Sequence, residues 1–215
     1  MPASSVAARI IRRIPSEEVL DLIDRRALFA GRWGYKNMGQ RRRLELESRL
    51  LGMWAELASP DYWTAGAVWI SFEAECGKGG LLIRDAGRSA FLAIKAGGIL
   101  QPAAGPGKIA LQAVTLGTSA TRFVKQRSSV AEKYIWHGLA AETAEALAEW
   151  CSRKAAGVMG WGQWRRISPG FPAWPDLAEQ RKLFRLLRPQ RVGIKLSPLL
   201  QMVPEYSTSA ALFAI

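Results

Sequence analysis

A change of hydrophobic period early in the chain constrains the fold more than any other feature. Residues 16–57 place apolar side chains at helical spacing, whereas residues 67–74 alternate. Ile70, Phe72 and Ala74 fall on one side and Trp69, Ser71 and Glu73 on the other, the mark of a half-buried strand. Helices followed by alternating strands, without a regular βαβ rhythm, point to an α+β chain with a mainly antiparallel sheet.

The first helix is expected to start at Pro15-Ser16-Glu17-Glu18, with Ser16 as cap and the two acids beside the positive helix end. Its apolar face holds Val19, Leu20, Ile23, Ala27 and Leu28, and Gly31 and Gly34 end it. A second helix runs from about Gln40 to Leu57, with Leu44, Leu51, Trp54 and Ala55 near one face and Ser59-Pro60 closing it. Gly77-Lys78-Gly79-Gly80 is turn chemistry, with a partner strand over 81–83. Residues 97–107, holding Pro102 and Pro106, read as a loop, and 109–116 as a buried strand stopped by Gly117.

The longest helix is expected from Val130 to about Lys154, marked by Ile135, Leu139, Ala146 and Trp150, with Gly157 and Gly160 as terminators. An irregular Trp- and Pro-rich segment follows, then a short helix over 176–187 and strands around 192–196 and 206–213. Residues 1–15 read as an arm and 16–215 as a single domain.

The 215 residues carry 30 Lys plus Arg against 18 Asp plus Glu, a net charge of +12 that attracts an acidic partner without dictating fold. Arg41-Arg42-Arg43 is followed by Glu45 and Glu47, so it reads as a solvated helix face rather than a polybasic tail. Cys76, Cys151 and the single His137 cannot supply the usual four ligands of a structural zinc site, and two distant cysteines are no disulfide framework. The basic start of the chain lacks the apolar run of a signal peptide, and no stretch approaches the roughly 18 apolar residues of a membrane span. A soluble, cytoplasmic protein is the expectation.

Two segments offer chemistry. Arg165-Arg166-Ile167-Ser168-Pro169-Gly170-Phe171-Pro172-Ala173-Trp174-Pro175 has a backbone fixed by its prolines. Gly170 permits close approach of a ligand, Phe171 and Trp174 supply flat faces, and the Arg166 fork suits a carboxylate. A rigid connector is the plainer reading. On the long helix, Glu142, Glu145 and Glu149 form a stripe bordering the apolar face, either a flank paired with arginines or a set of groups for a ligand's amine. Clamp and stripe together would suit a zwitterion such as an amino acid.

The run Arg166-Ile167-Ser168-Pro169-Gly170-Phe171 resembles the R-x-[AS]-P-G-[YF] segment of the vitamin B12-dependent methionine synthase activation domain. The residues after it keep that family's order. A helix at 179–187 leads to Val192-Gly193-Ile194-Lys195-Leu196, to Ser197, Met202 and Pro204, and to a serine-rich strand at Ser207. Thr115-Leu116-Gly117-Thr118, the run Ala144-Glu145-Ala146-Leu147-Ala148-Glu149-Trp150, and more weakly Ile23-Asp24-Arg25-Arg26 and Gly34-Tyr35, extend the likeness over about residues 16–215.

The resemblance implies a bent antiparallel sheet packed by helices and a site for S-adenosylmethionine. Arg166 would take the ligand's carboxylate, Ser168, Pro169, Gly170 and Phe171 would hold its adenosine and amino-acid parts, and Glu145 would add a contact. The implied role is reactivation. The methyl donor is presented to cobalamin carried by a partner corrinoid protein, with an electron from a reductase or flavodoxin-like donor, and no membrane takes part. Methyltransferase-type activity would then need both partners. The departures are Phe171 in place of tyrosine, no clear counterpart of an aspartate near the start of the domain, and a tyrosine-bearing segment that would lie beyond Ile215. They keep open a non-catalytic adaptor of a corrinoid protein that has the fold without the ligand. Nucleic-acid binding rests on the charge alone.

Overall fold

A computed structural model describes residues 8–77, 80–85, 88–94 and 107–215. The turn at 78–79, nearly all of the loop over 97–107 and the first seven residues of the arm lie outside them. In chain order the elements are β1 (Arg9–Ile11), α1 (Ser16–Leu20), a π-helical turn (Ala27–Arg32), α2 (Gln40–Leu57), β2 (Gly66–Gly77), β3 (Gly80–Asp85) and β4 (Arg88–Leu92). There follow β5 (Gly107–Thr115), α3 (Thr118–Lys125), α4 (Val130–Met159), β6 (Trp164–Ile167), α5 (Gln180–Leu187), β7 (Lys195–Leu196), β8 (Met202–Val203) and β9 (Ser207–Ala214).

Among the described residues, seven strands make one antiparallel sheet in the order β4-β3-β2-β5-β9-β6, with β1 also paired to β2. The α+β expectation holds. The expected half-burial of β2 does not, because both faces of its central part are covered. Ala67 and Trp69 enter a core shared with α1 to α4, whereas Val68, Ile70 and Phe72 enter a second core with α5 and Trp174. Even Trp69 and Ser71, assigned to the wetter side, are buried.

Several boundaries move for local reasons. The first helix breaks after Leu20, where Arg25 Nη1 donates to the Leu20 and Ile23 carbonyls at 2.7 and 2.9 Å and Asp24 Oδ1 accepts from the Ala27 N–H at 2.9 Å. Such side-chain bonds satisfy backbone groups that a continuous helix would have used. Its cap position is Pro15, with Ser16 already helical. α2 keeps its expected limits but turns another face inward. Leu46, Leu50, Met53, Trp54 and Leu57 are buried, while Leu44 and Leu51 stand 65% and 53% exposed.

The strand expected around 192–196 shrinks to β7, because the chain coils in a 3-10 turn over Pro189–Val192 and Gly193 takes a positive φ of 80°. β7 pairs only with β8, as a separate two-stranded ribbon. Arg41 and Arg42 do form a solvated face, both paired with Glu45. Among the described residues no helix is long and apolar enough to cross a membrane.

Candidate functional site

α4 is fixed at both ends. At its start, Ser129 Oγ accepts the Glu132 N–H at 3.1 Å while Glu132 Oε2 accepts the Ser129 N–H at 3.2 Å, a reciprocal cap. Its end lies at Met159, beyond the expected Lys154. Gly157 is inside the helix, and Gly160, left-handed at φ 70°, stops it.

β6 is a correction to the connector reading, because the first residues of the Pro-rich segment are the sheet's edge strand. Arg166 sits opposite Leu212 of β9, and Ile167 opposite Ala211. Strand alternation therefore turns Arg166 toward the α4 side, where Leu212 is buried, and sends Ile167 into the other core. The prolines follow only where the ladder has ended, so no ladder donor is lost.

The result is a close pair between two elements. Arg166 Nη2 donates to Glu145 Oε2 at 2.8 Å, and Nη1 to the Glu145 carbonyl at 3.4 Å. Their side chains are 25% and 43% exposed, so water reaches both. Beyond β6 the chain folds into a tight turn. The Gly170 N–H donates to the Trp174 carbonyl at 2.7 Å and the Trp174 N–H to the Phe171 carbonyl at 2.8 Å. Gly170 has φ 90°, a conformation that disfavours side chains. Buried Trp174 anchors the turn, and Phe171 on its outer side is 62% exposed.

Pair and turn enclose a cavity of about 370 Å³. Of the six residues expected there, Glu145, Arg166, Ser168 and Phe171 line it. Pro169 and Gly170 do not, since Pro169 is buried and Gly170 shapes the turn behind. Ile167, Pro172 and Ala173 complete the lining; they were not among the expected residues, although their adjacency to the motif was the available signal.

The glutamate stripe divides. Glu142, nearly buried, accepts from Arg32 Nε at 2.7 Å, tying α4 to the π-helical turn. Glu149 accepts from Arg153 on its own helix at 2.9 Å. Each carboxylate thus has an arginine, as the plainer reading anticipated, but only Glu145 faces the cavity. Below it, burial pushes the Cys151 thiol up to about 12, against the smaller downward pull of the Arg166 charge. That thiol is not a nucleophile at neutral pH. His137 lies elsewhere, its Nδ1 3.2 Å from the Tyr206 hydroxyl and 3.5 Å from Glu205 Oε1. Among the described residues no three His, Cys, Asp or Glu side chains gather as for a metal ion.

Residues 162–215 match the family described as vitamin B12-dependent methionine synthase, activation domain. Methionine synthase of Mycobacterium tuberculosis is 26% identical over 94% of this chain and 22% of its own length. The Mycobacterium leprae enzyme is 29% identical over 46% of this chain and 10% of its own. The chain therefore spans about a fifth, or less, of the curated relatives it matches. A crystal structure of the MetH reactivation domain bound to AdoHcy superposes with a TM-score of 0.78, at 18% identity, over 99% of this chain and 79% of that one.

Proposed function

We propose, from the match of residues 162–215 to the vitamin B12-dependent methionine synthase activation domain and from the shared fold, that this chain binds S-adenosylmethionine and presents it to a corrinoid partner for reactivation. The observation that carries the reading is the Arg166–Glu145 pair lining a cavity of about 370 Å³. Small-molecule sites span about 300–1,000 Å³, so the space suits a ligand of this size.

The pair suits the ligand's amino-acid end. A guanidinium has five N–H donors and spends two on Glu145, leaving others for a carboxylate. The ligand's ammonium would meet Glu145 where the arginine now does. A zwitterion exchanges one ion pair for two without leaving a charge unmatched, so half-exposed partners can open at small cost. Ser168 and the exposed Phe171 ring line the remaining wall, placed for a hydroxyl and a flat base.

Cobalamin, held by the corrinoid protein, would supply the metal centre that accepts the methyl group. This chain's part is orientation: Arg166 and Glu145 fix one end of the donor so that its methyl sulfonium faces outward. No general base is required of it. The electron would come from a reductase or flavodoxin-like protein, and the net positive charge of +12 favours acidic partners.

Calorimetric titration of S-adenosylmethionine tests the reading directly. Arg166→Ala is expected to weaken binding by about 1.5–3 kcal/mol, the worth of a hydrogen bond to a charged group. A variant that binds as tightly as the wild type overturns the site. With the corrinoid protein in its inactive cobalt(II) state, the methyl donor and a low-potential reductant, the methylcobalamin spectrum should appear only when every component is present. A stable complex whose spectrum never changes would favour the adaptor, a reading supported by Phe171 standing where the family carries tyrosine.

A further inference from the structure

α2 buries one face and leaves a second apolar line in water. Leu44, Ser48, Leu51 and Ala55 follow one another at spacings of four, three and four residues, which sets them in one row along the helix. All four are exposed, Leu44 by 65% and Leu51 by 53%. Gly52 flanks the row, and nothing lies within 4 Å of where its Cβ would stand, so a second backbone has room to approach.

The row alternates large and small side chains. Two copies packed in parallel would set leucine on leucine and leave Ser48 facing Ser48 and Ala55 facing Ala55 across a gap. With the helices antiparallel, Leu44 of each copy meets Ala55 of the other and Leu51 meets Ser48. Every leucine then fills the space beside a small side chain, as close packing requires. A pattern complementary to its own reversal is what a two-fold contact between identical surfaces needs, and it names a second copy of this chain as the occupant.

Charge selects the same arrangement independently. Arg41, Arg42 and Arg43 open α2, with no acid in its first turn and no base in its last. They crowd the positive end of the helix's own dipole. Arg41 and Arg42 share one carboxylate, Glu45, at 3.4 and 2.9 Å, so this end keeps an excess of positive charge. Near the other end stands Glu56, 57% exposed and on the same flank of the row as Arg41. The antiparallel pair brings Arg41 of one copy beside Glu56 and the last helical carbonyls of the other, at both ends of the contact. A parallel pair would gather six arginines together.

We propose that this face of α2 is the contact of a two-fold, antiparallel homodimer. The 18-residue helix is about 27 Å long, and one such pair buries less than the roughly 1,200–2,000 Å² of a stable complex. The dimer is therefore weak and dependent on concentration. Two bodies of charge +12 repel at long range, so pairing requires salt near 0.15 M, where screening over about 8 Å removes distant repulsion and spares charges in contact.

Sedimentation velocity of the whole chain at that salt, over about 10–1,000 μM, should show a monomer–dimer equilibrium. Leu44→Glu with Leu51→Glu should raise the dissociation constant at least about tenfold, the scale of losing buried leucines. The melting temperature of the dilute monomer should hold, because both side chains are exposed there. Leu44→Ser with Leu51→Ser, the milder pair, should act in the same direction. Arg41→Glu should raise the constant about two- to fivefold, as for an exposed ion pair reversed. Adding Glu56→Arg to it should recover the loss, since opposite charges again face each other across the antiparallel helices. A mass that stays monomeric throughout overturns the proposal, as does a dimer that survives both leucine pairs. A dimer in which Glu56→Arg fails to rescue Arg41→Glu overturns the antiparallel contact.

Discussion

Two ion pairs stand one helical turn apart on α4, Glu142 with Arg32 and Glu145 with Arg166, and their surroundings make them different devices. Glu142 is 7% exposed and bonds an arginine from the π-helical turn at 2.7 Å. Glu145 is 43% exposed and bonds an arginine from the edge strand at 2.8 Å. Length and chemistry are nearly the same. Access is not. A carboxylate deep in a helix–helix contact can only brace, because removing its partner strands a charge away from water. A carboxylate at a solvent-accessible cavity can exchange its partner for a ligand, because solvent and the ligand both compensate the opening.

The largest effect should come from the brace. Glu142→Ala is expected to destabilise the fold by about 1–3 kcal/mol in chemical denaturation, the cost of an unsatisfied buried partner moderated by the one-third exposure of Arg32. Affinity for S-adenosylmethionine should stay close to that of the wild type. A neutral result would mean that Arg32 simply swings into solvent, and the distinction between the pairs would collapse.

Glu145→Gln should do the reverse. The amide still accepts from Arg166 and suits the helix, so the melting temperature should hold. Affinity should drop by about 1 kcal/mol, the difference between a charged and a neutral hydrogen bond. Loss of stability without loss of affinity would make this pair a second brace. Glu149→Gln should move stability and affinity by no more than about 0.5 kcal/mol, as for an exposed pair on one helix. Equal losses of affinity at all three glutamates would indicate a general field around the helix.

What could be read beforehand varied with how local the cause was. The end of α2 was legible because Ser59-Pro60 punctuates the chain just after it. Its buried face was not, since Leu44 and Leu51 are as apolar as Leu46 and Leu50 and only the neighbouring layer selects between them. The capping box at Ser129 and Glu132 lay in the sequence and went unused, although its spacing alone marks a helix start. β1, β4 and α3 were missed outright. The two strands are short, with three and five residues, and draw their order from pairing with β2 and β3.

The site shows the same division. Arg166, Ser168 and Phe171 stand close in sequence, so one motif sufficed to group them with the cavity wall. Nothing in their own spacing brings Glu145 to them, and that link came from resemblance to a family.

By itself the sequence determined the α+β class, the extent of α2, the course of β5 and β9 and the Pro-Gly turn after Ile167, all governed by period and punctuation within a few residues. The tertiary structure decided that β2 is covered on both faces and that Arg166 lies on an edge strand facing α4. It also decided that Glu142 braces while Glu145 lines a cavity. The physical reason is the same in each case. Burial and access depend on which surfaces meet, and an amino-acid type at a given spacing carries no record of what will be packed against it.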